Sequence, residues 1–286
     1  MFRSIALGGG GVRGFLFLGA LKAIEEQNGT LIFPDGIYGC SVGAVIATGI
    51  AFGITYSQAK ESCIKHVNTS AFLPSFQYAT ILAFMQKKGL FTQDLMEELF
   101  LRLFDSLNID LRGKMISDAP QKLFILTSNI TTQRPTFLTG NISILAALKA
   151  SCCLPFIYHP QLIHNQLYID GGVYMENMYE AVPKGTLVLD IVHKNQSIFP
   201  STLESISIFD MIRSLWTGIR SQRSHSDAIN LQIDKYSLLD ELTEEDKHHM
   251  IDVGYSQALR FLSKRLAKEP QKVVTSDGLV EVIQPV

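Results

Sequence analysis

Gly39-Cys40-Ser41-Val42-Gly43 has the spacing G-x-S-x-G, in which a serine stands on a sharp turn between a strand and a helix. The chemistry on offer is nucleophilic attack by the Ser41 hydroxyl. Gly39 and Gly43 remove the Cβ atoms that would collide across so tight a turn. A helix starting at Val42 would put the positive end of its dipole beside developing negative charge. The same two glycines also read G-x-x-x-G, a contact face for membrane helices. Residues 37–54 carry no charge over 18 positions, the lower edge of a spanning length. Yet Gly49, Gly53, Ser41 and Thr48 interrupt the run, and no basic cluster flanks it. A buried helix in an α/β fold has the same pattern, and that reading is favoured.

A second glycine run, 8–14, reads Gly-Gly-Gly-Gly-Val-Arg-Gly and follows a short apolar strand. Gly9, Gly11 and Gly14 match the G-x-G-x-x-G of dinucleotide-binding loops. The acid that should follow is Asp35, but it precedes the second strand, whereas a ribose-binding acid belongs at the strand's far end. No Gly-Lys-Ser/Thr follows, which excludes a P-loop. The other use is an oxyanion hole, with the N–H groups of Gly9, Gly10 and Gly11 turned toward one point. The ends of adjacent parallel strands lie side by side, so this loop and Ser41 would meet. A dinucleotide site has no use for the second motif, which favours catalysis.

A serine nucleophile needs a base. The chain order Ser, acid, His would point to His193, His225, His248 or His249, and His193, after the apolar 186–192 run, is the best placed. Asp170, in Tyr-Ile-Asp-Gly-Gly, is the other candidate. Asp-Gly is also the commonest hairpin-turn signal, and the residues alone favour the turn.

The elements that must position these groups follow from periodicity. Residues 3–7 read as a strand, 12–27 as a helix with Phe17, Leu21 and Ile24 on one face, 37–40 as a strand and 42–54 as a helix. A βαβα beginning predicts a parallel sheet covered by helices. Residues 57–107 read as helical, broken at Pro74 and Gly89. In the best segment Thr92 caps a helix, Asp94 sits in its first turn, and Leu95, Leu99, Leu103 and Leu107 repeat along one side. Strands over 122–131 and 134–140, a helix over 142–151, a hairpin ending at Asp170 and a strand over 186–192 come next. Helices are expected over 203–218 and 244–267, with a polar, loosely held tail from about residue 270.

The totals narrow the classes. A chain of 286 residues with 47% apolar content can build a substantial core. Its net charge of −2, from 25 basic and 27 acidic residues, excludes the basic excess of a nucleic-acid binder. Cys40, Cys63, Cys152 and Cys153 form neither a C-x-x-C pair nor a cluster with histidines, so no metal site or disulfide framework is expected. The apolar run before the first glycines is too short and wrongly flanked for a secretory signal, so no leader is expected and a cytoplasmic setting with reduced thiols is the expectation.

Taken in order, the glycine run 8–14, Gly-Cys-Ser-Val-Gly at 39–43 and Asp-Gly-Gly at 170–172 resemble the three signatures of the patatin-like phospholipase family. The Ala-Ser…Pro…Pro stretch over 150–160, Asn177 and the strand pair over 122–140 resemble it too. The likeness covers residues 4–190. It implies a three-layer α/β fold with a mostly parallel central sheet, divided as a catalytic part over 1–195 and a helical part over 196–286 packed on it. It also implies a Ser-Asp dyad, Ser41 as nucleophile and Asp170 as base, with Gly9, Gly10 and Gly11 as the oxyanion hole. No histidine, metal or cofactor is then expected in the chemistry. The implied substrate is a phospholipid or other acyl ester. Hydrolysis, acyl transfer and a silent lipid-binding role stay open, as does peripheral membrane contact.

Two features depart from the family pattern. Gly8 stands where members often carry Asp or Ser, and the pair Cys152-Cys153 fills a stretch of usually small residues. Arg13 either anchors the loop, meets a phosphate or is a solvated charge. The 205–223 segment, with Ile208, Ile212, Leu215 and Ile219 on one side and Trp216 beside them, either rests on a membrane or packs on the core.

Overall fold

The computed structural model describes residues 2–68, 84–175, 177–192, 225, 227–236, 240–266, 271–274 and 280–283. Strand β1 (Ser4–Leu7) leads through a 3-10 turn (Gly11–Gly14) into helix α1 (Phe15–Asn28) and then strand β2 (Gly36–Cys40). Both strands are buried along their whole length, the mark of a parallel sheet covered on two sides. Helices α2 (Val42–Ala51) and α3 (Tyr56–His66) follow. Strand β3 (Gly89–Phe91) and helix α4 (Asp94–Asp105) precede the pair β4 (Leu123–Asn129) and β5 (Arg134–Leu138). Helix α5 (Ile144–Ser151) is followed by β6 (Phe156–Tyr158), β7 (Gln161–Ile163) and β8 (Gln166–Asp170). Helix α6 (Met178–Ala181), β9 (Leu187–Ile191), β10 (Ala228–Leu231), α7 (Glu244–Leu266) and the antiparallel pair β11 (Gln271–Val274) and β12 (Val280–Ile283) complete the chain.

The central sheet has the order β10-β9-β1-β2-β4-β8-β7, with β5 also paired to β4. From β10 to β4 every pairing is parallel; β5, β8 and β7 are antiparallel additions. The key register is on β4. Its first half, Leu123–Leu126, pairs with β2, and Cys40 lies opposite Leu126. Its second half, Thr127–Asn129, pairs with β8, and Asp170 lies opposite Thr127. β5 runs along β4 from Ile125 to Asn129 and overlaps both partners, so β2 and β8 must share the other edge. They meet there end to end.

The core explains why α1 is not one-faced as its periodicity suggests. Phe15, Leu16, Phe17, Leu18, Leu21 and Ile24 are all buried, because the sheet covers one side and α7 the other. The two helices touch at backbone distance: a Cβ on Gly19 would lie 1.9 Å from the Ile251 carbonyl oxygen, and one on Gly254 2.1 Å from that of Leu16. On the opposite face of the sheet, Ala6, Tyr38, Cys40, Leu126 and Val188 pack with Met178 of α6.

The uncharged 37–54 run is strand β2 plus the ten-residue helix α2. Among the described residues no helix is long and apolar enough to cross a membrane. Thr92 does not cap α4. The N-cap is Gln93, and the Thr92 hydroxyl instead donates to Asp94 at 2.7 Å. Gln93 is held elsewhere, donating to the Lys149 carbonyl at 2.8 Å. The leucine side of α4 does bury Leu99 and Leu103. The helix expected over 203–218, and with it Trp216, lies outside the described residues.

Gly254→Ala tests the α1–α7 contact. Alanine gains about 1 kcal/mol of helix propensity, but its Cβ meets backbone rather than a movable side chain. The expected net loss is about 1–3 kcal/mol, read as a lower urea midpoint; an unchanged or higher midpoint would mean that the helices do not approach this closely.

Candidate active site

Ser41 stands at the end of β2 with φ 54° and ψ −128°. A residue with a Cβ is held there at a cost of about 1–3 kcal/mol, so its surroundings must fix it. Neither neighbouring glycine could carry a side chain. A Cβ on Gly39 would lie 2.5 Å from the Ala44 Cα, and one on Gly43 2.3 Å from the Gly8 carbonyl oxygen. The Ser41 carbonyl accepts from Ala44 N–H at 2.8 Å and so starts α2. The Ser41 N–H donates to the Ser151 hydroxyl at 2.8 Å, and that hydroxyl donates to the Leu126 carbonyl at 2.7 Å. Ser151 is fully buried. It ties the strained turn to β4, at the residue opposite Cys40.

Asp170 ends β8 and is only 6% exposed. Its N–H donates to the Cys153 carbonyl at 2.8 Å, and its Oδ1 accepts from Gly172 N–H at 2.8 Å. Its Oδ2 is buried with no hydrogen-bond partner. Burial pushes the carboxyl pKa up to about 6, against smaller downward effects from the Gly172 N–H and the nearby Ser41 hydroxyl. The Ser41 hydroxyl thus lies near the carboxylate, while Oδ2 itself accepts no hydrogen bond. The hairpin turn that Asp-Gly suggested lies earlier in the chain. His164 and Asn165, with φ 46° and 62°, make it, and residues 171–173 form a 3-10 turn instead.

The glycine run lies against the same point. A Cβ on Gly9 would sit 3.5 Å from the Ser41 Cβ. Among the described residues, no backbone hydrogen bond outside the helices and strands uses the N–H of Gly9 or Gly10. Arg13 in the following turn is 3% exposed, so it is not a solvated charge.

Three thiols surround the pair. Burial raises the pKa of Cys40, Cys152 and Cys153, and the Asp170 charge raises each further. They stay protonated at neutral pH and are no rival nucleophiles.

The histidines lie elsewhere. His225 stacks on the Tyr179 ring at 3.5 Å between centroids, and His248 pairs with Glu244 at 3.8 Å. No described histidine figures among the groups that shift Asp170; His193 lies outside the described residues. No cluster of His, Cys, Asp and Glu able to hold a metal occurs among the described residues.

Two participants were missed by sequence reasoning. Ser151 lies in the Ala-Ser…Pro…Pro stretch, but nothing in its spacing shows that its hydroxyl serves Ser41. Asp190 looked like one residue of an apolar strand. Its Oδ2 accepts from Met178 N–H at 3.3 Å, and desolvation raises its pKa to about 7. It also accounts for Gly8, since a Cβ there would lie 2.0 Å from Asp190 Oδ1. The Gly8 departure and the Asp190 carboxylate are thus two sides of one packing solution.

A model of the Patatin-like phospholipase family matches residues 5–182. The chain is 30% identical over 178 residues to the uncharacterized protein R571 of Acanthamoeba polyphaga mimivirus, covering 59% of this chain and 58% of that one. It is 28% identical over 217 residues to the cUMP-AMP-activated phospholipase of Escherichia coli, covering 68% and 62%. It thus spans 58% and 62% of the length of these relatives. Among solved structures, VipD of Legionella pneumophila superposes with a TM-score of 0.56 at 16% identity, covering 92% of this chain and 67% of VipD. ExoU of Pseudomonas aeruginosa, in complex with SpcU, superposes with a TM-score of 0.51 at 15% identity, covering 93% and 53%. At these identities the likeness is one of fold.

Two measurements test this geometry. Ser151→Ala leaves the Ser41 N–H without its acceptor and should destabilise the protein by about 1–3 kcal/mol; an unchanged urea midpoint would remove Ser151 from this role. Asp170 and Asp190 both bind protons more tightly folded than unfolded, so their ionisation opposes folding. That penalty is absent below about pH 4 and complete above about pH 7. Stability should fall as pH rises through this window, and Asp190→Asn should flatten the slope; a slope of the opposite sign that the variant leaves unaltered would contradict the assignment.

Proposed function

The chain belongs to the patatin-like phospholipase family, and from that premise we propose that it hydrolyses fatty-acyl esters of lipids through Ser41 and Asp170. The observation that carries this reading is the end-to-end meeting of β2 and β8 on one edge of β4. It brings a strained serine beside a buried carboxylate with one unpartnered oxygen.

The Ser41 Oγ attacks the ester carbonyl carbon while its proton passes to Asp170 Oδ2. Charge grows on the carbonyl oxygen, which accepts from the N–H groups of Gly9, Gly10 and Gly11. One such donor is worth about 2.7–4 kcal/mol in the transition state. Collapse breaks the bond to the leaving alcohol, which takes the proton from Asp170. A water then gives its proton to Asp170 and attacks the acyl carbon. The second collapse frees the fatty acid and returns the proton to Ser41 Oγ. The raised pKa of Asp170 suits this work: a carboxylate near 6 binds the serine proton more strongly than an ordinary one and is still mostly ionised at pH 7. The amide cradle supplies the electrophilic help, so no metal takes part in these steps. Acyl transfer would share the acyl-enzyme and differ only in the acceptor.

A fluorophosphonate probe should label the wild-type chain and not Ser41→Ala; a folded wild-type protein that resists labelling would end the acyl-enzyme proposal. Asp170→Asn should slow hydrolysis of a short-chain nitrophenyl ester by about 10²–10⁴-fold, and activity should survive a metal chelator. In the wild type kcat/KM should fall as pH drops through about 6, where Asp170 takes up its proton. A profile flat between pH 5 and 8, from about one pH unit below that point to about two above it, would exclude this carboxylate as the base.

A further inference from the structure

Phe156 is the most unusual exposed residue of the fold. It is 53% exposed and has φ +68°, a region in which a bulky side chain is strained. Its backbone is fixed from several sides. β6 pairs in parallel with β3, Gly89 opposite Phe156 and Phe91 opposite Tyr158. The Leu154 carbonyl accepts from Ile157 and Tyr158, and the Phe91 carbonyl accepts from His159. The fold thus spends backbone strain on holding an aromatic ring out toward solvent.

The neighbours of that ring share its character. Phe84 lies 6.4 Å away between ring centroids, and the adjoining Met85 is 64% exposed. Lys87 and Lys88 are exposed beside them. The Lys88 ammonium donates to the Met85 carbonyl at 2.8 Å, and Lys87 is near enough to help lower the His159 pKa, after desolvation. Asp94 is the acid at this edge; it acts on His159 in the opposite sense and accepts from the Thr92 hydroxyl. Two cations therefore rim an apolar projection on a chain whose net charge is −2.

Position completes the inference. The Cys153 carbonyl accepts the Asp170 N–H, and Phe156 follows three residues later, its Cα within about 11 Å of that of Cys153. The projection stands beside the candidate site. We propose that Met85, Phe156, Lys87 and Lys88 form the surface by which the chain docks on an anionic phospholipid bilayer, apolar groups entering the acyl boundary and ammonium groups meeting phosphates. The proposal rests on the reading of Ser41 and Asp170 as a lipid-ester site.

The test uses the full chain carrying Ser41→Ala, so that binding is measured without turnover. Co-sedimentation is run with vesicles of phosphatidylcholine alone and of phosphatidylcholine mixed with phosphatidylglycerol. Binding should favour the mixed vesicles and weaken with salt. Adding Met85→Ser and Phe156→Gly should reduce it at least about tenfold. Glycine relieves the strain at 156, so the urea midpoint should hold. Adding Lys87→Gln and Lys88→Gln instead should abolish the preference for the mixed vesicles. With Ser41 intact, all four substitutions should leave hydrolysis of a soluble short-chain ester unchanged. Unaltered vesicle binding in both variants, or no binding by the parent chain, overturns the docking surface. Failure of the wild-type chain to cleave the soluble ester instead strikes the site assignment and leaves the vesicle result to be read separately.

Discussion

The pairing of β4 along one edge with two different strands is the constraint on which the site depends. A strand edge can bond only one partner at each residue, so β2 must stop at Leu126 for β8 to begin at Thr127. The parallel part of the sheet and its antiparallel part are joined at that step. Ser41 leaves from one side of it and Asp170 arrives from the other. Any slip by one residue would turn the alternate side chains to the opposite face, and the two groups would part.

Holding Ser41 at this step demands local strain, and the strain is met by close packing rather than by side-chain size. Gly39 and Gly43 let α2 and the glycine loop approach the turn at backbone distance. The Ser151 hydroxyl then satisfies the N–H that the turn would otherwise bury unpaired. Because Ser151 also bonds the Leu126 carbonyl, the turn is tied to the strand whose pairing created the step. Geometry and hydrogen bonding thus reinforce each other, which is how a costly backbone conformation persists.

Burial that positions the groups also tunes them. Asp170 is raised to about 6 and Asp190 to about 7 mainly by desolvation. For Asp170 that tightens the carboxylate's hold on a proton. Asp190 instead fills the room that a side chain at position 8 would need and bonds the start of α6. The three neighbouring thiols, kept neutral by the same desolvation, fill space without competing for chemistry.

The order of the glycine run, Gly-x-Ser-x-Gly and Asp-Gly-Gly is legible in the chain alone, and so is the βαβα opening. These are local properties: a sharp turn, a missing Cβ and an apolar period each leave a mark within a few residues. Local signals also misled where a distant element intervened. Thr92 looked like a cap, but Gln93 reaches the Lys149 carbonyl and Thr92 turns to Asp94. The α1 stripe looked one-sided, but α7, from the far end of the chain, covers its other side. Asp170 was ambiguous by composition, because Asp-Gly serves a hairpin as well as a carboxylate at a strand end. Sequence alone determined which residue types were on offer and which loops could turn sharply. Only the tertiary structure decided that Asp170 is buried next to Ser41, that Ser151 bonds the turn and that Asp190 replaces a side chain at position 8. The reason is physical: strand register and desolvation are set by neighbours distant in the chain, and no short window of residues contains them.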